Sequence, residues 1–175
     1  MKKHIIILLS LLTLASCQSL KKSWEFQTYK GKPIAVGEIT PEVLQHEKLG
    51  NWYKENYQSY QLDNQVINAL KNKLNDMSVE VYMGTWCPDS RAHVPAFMKI
   101  LDAVGFGKKH LRIHAFERNY KDNPLAKEKN IIRVPTFIIK RNGKELGRII
   151  EYPMETLEKD LLKILEGNYK HELQE

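Results

Sequence analysis

The chain has 175 residues, of which 42% are hydrophobic and 27% charged, and carries a formal net charge of +6. That length and balance describe one globular domain with some additional chain, and exclude collagen-like, repeat-built and low-complexity architectures. Basic residues are interspersed with acidic ones, as in Lys127-Glu128-Lys129 and Glu158-Lys159-Asp160, so the positive surplus reads as a solvated surface and not as a track for nucleic acid.

Met1-Lys2-Lys3-His4 is a short basic start, and Ile5 to Leu14 is an apolar run. A membrane-spanning helix needs about 20 apolar residues, so the run reads as the core of a signal peptide over residues 1–16. It ends in Leu14-Ala15-Ser16-Cys17, which resembles the bacterial lipobox. The resemblance implies cleavage before Cys17, a diacylglycerol chain on its sulfur, and a membrane-anchored lipoprotein of the bacterial cell envelope. Gln18 in place of Asp after the cysteine favours the outer membrane, with the protein on its periplasmic or surface face. Loss of Lys2 and Lys3 with the leader leaves a charge of +4. The sequence holds two cysteines. With Cys17 lipidated, Cys87 has no disulfide partner in its own chain.

Residues 17–38 are polar and basic and read as the lipidated N-terminus and a tether. Thr40-Pro41-Glu42 is an N-cap followed by proline at the first helical position, which opens a short helix to about Lys48. Trp52, Tyr53, Tyr57 and Tyr60 form an aromatic stretch that reads as packing surface. Val66, Ile67, Leu70 and Leu74 then recur at helical spacing behind Asp63 as a cap. Residues 39–77 are thus expected to form a helical extension ahead of a core at 78–168, with 169–175 as a tail.

Within the core the rhythm changes. Val79 to Met83 is a β-rich run that ends at Gly84-Thr85-Trp86-Cys87-Pro88. A helix with Val94, Phe97, Met98, Leu101 and Val104 inward is predicted after it, then a strand over Leu111 to Phe116. Asn123-Pro124 opens a short helix, and Thr136 to Ile139 is a strand. Asn142-Gly143 is a strong hairpin signal, with Leu146 to Ile150 returning. Glu155 to Leu165 is an amphipathic helix with Leu157, Leu161, Leu162 and Leu165 inward, and Gly167 marks its end. The order is β-α-β-α-β-β-α, an α/β sandwich with no evident second domain.

Three linked features carry a resemblance to the thioredoxin superfamily over about half the chain. Trp86-Cys87-Pro88-Asp89-Ser90 lies at a strand-to-helix junction, Pro95 falls in the helix eight residues after the cysteine, and Val134-Pro135-Thr136 opens a strand nearly fifty residues on. The resemblance implies a thioredoxin-like sandwich with a central mixed β-sheet flanked by helices, and a cis peptide before Pro135 beside Cys87. It also implies thiol–disulfide exchange, with Cys87 as nucleophile and Trp86, Pro88, Val134 and Pro135 shaping the substrate surface.

The chemistry agrees with that placement. Thiolate attacks a disulfide, and a cysteine at a helix N-terminus faces unpaired N–H groups and the positive end of the dipole. Ser90, three residues on, is placed to hydrogen-bond the sulfur, while the charge of Asp89 opposes a thiolate. Two departures matter: Ser90 stands where the family has its second cysteine, and Val81 where many members carry a buried acid. A resolving thiol is therefore missing, and a mixed disulfide must be released from outside.

The expected function is monothiol oxidoreductase chemistry on envelope proteins or small thiols, by a monomer without metal or organic cofactor. A peptide-binding module built on the same fold is the alternative. A peroxidatic Cys87 is weaker, since no peroxiredoxin-like motif surrounds it. His93, His110 and His114 lack zinc-like spacing, and Arg91 is either part of the thiolate's field or simply solvated. In an oxidising compartment a solitary exposed thiol is a hazard unless it has a use.

Overall fold

The computed structural model describes residues 23–171. The signal peptide, Cys17 and the last residues of the tail lie outside them. The described residues form a six-stranded mixed sheet in the order β1-β2-β4-β3-β5-β6 and six α-helices.

Residues 24–38, read from sequence as tether, are the hairpin β1 (Trp24–Tyr29) and β2 (Lys32–Ile39). Lys30 and Gly31 turn it with φ of 49° and 72°, the two left-handed positions of a tight hairpin whose twist matches the strands. Trp24 and Phe26, on one side of β1, meet edge-to-face at 5.1 Å and together pack against the main core.

Helices α1 (Pro41–Leu44), α2 (Trp52–Ser59) and α3 (Asn64–Leu70) follow. The segment that sequence reads as one helix to Lys48 is split. The four-residue α1 ends at Gln45, and a 3-10 turn covers Glu47–Leu49. Asp63 caps α3, accepting the N–H groups of Gln65 and Val66, as its place before an apolar repeat predicts.

Strand β3 (Met77–Met83), helix α4 (Pro88–Ala103) and strand β4 (Leu111–Ala115) form a parallel crossover unit. Helix α5 (Pro124–Glu128), strands β5 (Thr136–Arg141) and β6 (Lys144–Ile150), and helix α6 (Leu157–Leu165) complete the fold. Asn142 and Gly143, at φ of 50° and 78°, make the hairpin turn that their sequence announces.

Period-two alternation divides the strands between two faces. Val79, Val81, Phe137 and Ile139 join Val94, Phe97, Ile100 and Leu161 in a large cluster under α4 and α6. Tyr82 and Ile138 point the other way, into a smaller cluster with Phe116, Tyr120, Ala126, Ile131, Val134 and Cys87. The molecule is an α/β sandwich of the expected thioredoxin-like kind. Among the described residues, no helix is long and apolar enough to cross a membrane.

Strand directions gather distant segments at one end. β3 and β4 both run toward it, and the register Met83↔Ala115 makes them finish together. β5 is antiparallel to β3, with Tyr82 opposite Thr136, so the start of β5 lies beside the end of β3. β2 is antiparallel to β4, with Gly37 opposite Ala115. The Lys30-Gly31 turn therefore projects past the same end.

Candidate functional site

The site starts from a glycine. A Cβ on Gly84 would stand 2.5 Å from the Trp86 ring, so only glycine lets the indole fold back over the strand end. The Cys87 N–H donates to the Gly84 carbonyl at 2.9 Å, and the Arg91 N–H donates to the Cys87 carbonyl at 3.0 Å. Cys87 is thus the N-cap of α4, with extended backbone and Pro88 in the first turn. Its side chain stands at the positive end of a 16-residue helix.

The peptide Val134–Pro135 is cis, and it faces the sulfur. The Cys87 thiol donates to the Val134 carbonyl at 3.3 Å, with an Asp89 carboxylate oxygen at 3.8 Å. The loop before β5 is fastened from several sides. Tyr120 donates its hydroxyl proton to the Ile132 carbonyl at 3.1 Å, Thr136 donates to the Arg133 carbonyl at 2.7 Å, and the Glu151 N–H donates to the Pro135 carbonyl at 2.7 Å. Arg133 and Glu151 add an ion pair.

Trp86 is the hub of an aromatic group. Its indole N–H donates to the Phe116 carbonyl at 2.9 Å. Its ring stacks on Tyr120 at 6.3 Å, meets Tyr29 at 6.2 Å, and carries the Arg118 guanidinium 4.6 Å from its centre. Burial pushes the Tyr120 phenol above its ordinary range, with the nearby Cys87 adding to the effect.

The structure places Cys87, Trp86, Pro88, Val134 and Pro135 at the same end of the sheet. Three details differ from the sequence reading. Cys87 is 6% exposed, not an open thiol, because the Val134 carbonyl and the Phe116–Tyr120 aromatics close around it. Val134 and Pro135 are themselves buried, so they do not form an open edge. Ser90 is fully buried, and its hydroxyl accepts the Gly84 N–H at 3.2 Å. The hydroxyl ties the helix start to the strand end, and among the described residues it makes no hydrogen bond to the sulfur.

Val81 lies in the large cluster with no exposed surface. Arg91 donates to the Thr85 carbonyl at 2.6 Å and lies 5.6 Å over the Trp52 ring. Burial holds both His93 and His114 below their ordinary value, against the pull of Asp89 and Glu38 respectively. Among the described residues, no three His, Cys, Asp or Glu side chains gather as metal ligands do.

The sequence reading missed Tyr29, Lys30 and Lys32, which arrive on the hairpin, and Phe116, Arg118 and Tyr120, which arrive on the loop after β4. The second group had a usable signal. Loops leaving the carboxyl ends of parallel strands are where α/β folds place their sites. Thr85 makes the hairpin part of the site, accepting the Ala35 N–H at 2.9 Å.

Comparison with known proteins agrees with this geometry. The family model for thioredoxin matches residues 39–163. A thioredoxin H-type of Brassica campestris is 28% identical over 132 residues, spanning 74% of this chain and 93% of its own. Thioredoxin H2 of Arabidopsis thaliana is 30% identical over 98 residues, spanning 55% and 68%. Among solved structures, an HIV epitope scaffold superposes with a TM-score of 0.50 at 15% identity, over 73% of this chain and 81% of its own, a likeness of fold alone. With the cysteine capping a helix, the cis proline beside it and a family match from residue 39 to residue 163, the chain belongs to the thioredoxin family, and a thiol–disulfide redox role comes with that membership.

Proposed function

We propose that the protein performs monothiol thiol–disulfide exchange in the bacterial cell envelope, through Cys87, while a lipid on Cys17 holds it at a membrane. The observation that carries the reading is the Cys87-Pro88-Asp89-Ser90 start of α4, which sets one sulfur against the Val134 carbonyl and puts Ser90 where a resolving thiol would stand. The exchange has two steps at Cys87. Cys87 gives its proton to solvent and attacks one sulfur of a partner disulfide. A mixed disulfide forms, and the partner's other sulfur leaves as a thiolate that takes up a proton. An external thiol then attacks the partner's sulfur in the mixed disulfide and Cys87 leaves as its thiolate; further external thiol frees the reduced partner and departs as its own disulfide, which carries the oxidising equivalent away.

The full chain, solubilised in detergent, is expected to reduce a protein disulfide only when a thiol is added. Ser90→Cys should gain turnover without it. Turnover by the unaltered protein with no added thiol overturns the monothiol step. Membrane anchoring is read by palmitate labelling in cells, expected for the natural chain and lost in Cys17→Ser.

The burial of Cys87 favours a second reading, in which the fold binds an extended peptide beside Ile132, 44% exposed, and the sulfur is not used. Partners trapped in cells through a disulfide that vanishes in Cys87→Ala support exchange. Partners retained equally by Cys87→Ala support the binding module.

A further inference from the structure

Beside the cysteine lies a cavity of about 380 Å³ whose lining mixes aromatic and cationic side chains and includes no acidic residue. Trp86 and Tyr29 supply aromatic surface. Lys30 and Lys32 reach it from the hairpin tip, Arg91 from the second turn of α4, and Arg118 from the loop after β4. Four cations from three separate segments thus converge on a cavity that the two neighbours of Cys87, Trp86 and Pro88, help to line.

What sets them apart is that they share one cavity; other cations without a carboxylate partner among the described residues, such as Lys48 and Lys127, do not line it. Ten cations elsewhere, among them Lys108, Arg112, Lys140 and Arg148, form ion pairs with carboxylates. None of Lys30, Lys32, Arg91 and Arg118 does so among the described residues. Lys30 lies 5.6 Å over the Tyr29 ring, Arg118 4.6 Å over Trp86, and Arg91 is bonded to the Thr85 carbonyl. Asp89 points to the sulfur and Glu117 adjoins Arg118 in sequence, yet neither lines the cavity. Mutual repulsion among unpaired cations is relieved when an anion enters, and the aromatic surface lowers the local dielectric and strengthens that attraction.

We infer that this cavity selects carboxylate-bearing substrates for Cys87: disulfides of an acidic peptide segment, with Asp or Glu within a few residues of the reacting cysteine. The inference rests on the exchange reading above and names its substrate class. The peptide's carboxylates bind Lys30, Lys32 and Arg118 while its disulfide meets Cys87, and exchange follows the two steps already described, with an external thiol as the second reactant. The occupant is a peptide because the cations come from three separate segments, and a chain carrying carboxylates at several positions can meet them together. A small anionic disulfide shares the chemistry and is separated from it by the test.

The test uses the full chain in detergent with Cys17→Ser, so that Cys87 is its single thiol. Rates of mixed-disulfide formation are compared for peptide disulfides of equal length flanked by glutamates or by lysines. The glutamate peptide is expected to react about tenfold faster at low salt, the contribution of a few exposed ion pairs. The preference should shrink as salt brings the screening length to about 10 Å or less. Lys30→Glu combined with Lys32→Glu, both exposed, should bring the ratio to about one or below. Equal rates for the two peptides in the unaltered protein overturn the inference. Oxidised glutathione reacting with the same charge-dependent advantage as the peptide assigns the cavity to a small ligand and overturns the peptide as its occupant.

Binding by Cys87→Ala, followed through Trp86 fluorescence, separates the two levels of the argument. Charge-selective binding with no exchange in the unaltered protein keeps the cavity and overturns the redox reading. Exchange with no charge preference does the reverse.

Discussion

On one face of the sheet, Phe97, Phe137, Ile100 and Leu161 are sealed beneath α4 and α6, with Phe97 and Phe137 ring centres 4.4 Å apart. On the other, Tyr82, Phe116 and Tyr120 are covered by the five-residue α5 and the loops around it. That smaller face also carries hydrogen-bonded polar groups. Burial raises the Glu80 carboxyl, but hydrogen bonds from Lys140 and Tyr82 outweigh it and hold the group below its ordinary value. Cys87 belongs to the smaller cluster although it caps a helix of the larger face. The large face supplies the free energy that fixes the fold. The small face gives up packing for polar contacts, and access to its buried sulfur requires a covering segment to part.

The largest expected effect separates the two faces directly. Phe97→Ala should cost about 3–5 kcal/mol, the usual range for emptying a buried aromatic site, read as a lower urea midpoint at unchanged slope. Alkylation of Cys87 per folded molecule should keep its rate, because the cavity opens on the far side of the sheet from the small cluster. A faster alkylation would mean that the two faces are mechanically one.

Ser90→Ala comes next. Its hydroxyl is the acceptor for the buried Gly84 N–H, and removal leaves that donor unsatisfied, at about 1–3 kcal/mol. Thermal unfolding with and without the substitution measures this. A loss near zero would return Ser90 to the role that sequence suggests, a partner of the sulfur and not a brace.

These two residues also show where sequence reasoning holds. The Cys87-Pro88 junction, the inward face of α4 and the Asn142-Gly143 turn are local features, decided by a few adjacent residues, and they were legible. The hairpin at 24–39 was not. Its turn is Lys30-Gly31, without the usual Asn or Asp, its strands carry Glu25, Gln27 and Lys32, and its pairing joins Gly37 to Ala115. Contacts that far apart leave no local pattern. The burial of Cys87 was illegible for the same reason, since Val134, Phe116 and Tyr120 are remote from it in sequence. The cationic cavity combines both failures, drawing on the hairpin and on the loop after β4.

Acid should test the small face in turn. The His114 ring lies 5.0 Å from Phe116 and 6.4 Å from Tyr82. His93 lies on α4 within the field of Asp89, whose carboxylate meets the sulfur. Both histidines are lowered from an ordinary value of 6.5, chiefly by burial. Below that pH the unfolded chain binds more protons than the native one, so stability falls as pH drops through 6.5 toward the folded values. Urea midpoints between pH 8 and 5 should decline toward acid, and His93→Gln with His114→Gln should flatten the lower part of the curve. A profile unchanged by the two substitutions would assign the acid sensitivity to His171, which burial also lowers, or to carboxylates.

The smallest change bears most directly on function. Tyr120→Phe removes one oxygen and keeps the ring that stacks on Trp86 and Phe116. What is lost is the hydrogen bond to the Ile132 carbonyl, one of the fastenings of the segment whose Val134 carbonyl covers the sulfur. One such bond contributes about 1 kcal/mol, so global stability should fall by about that much. Because opening of the 132–135 segment exposes Cys87, the same free energy should raise the alkylation rate of Cys87 about fivefold. An unchanged alkylation rate alongside the expected loss of stability would show that the sulfur is reached by another route. The lid would then be the Asp89 side, and Asp89→Ala would be the variant that speeds the reaction.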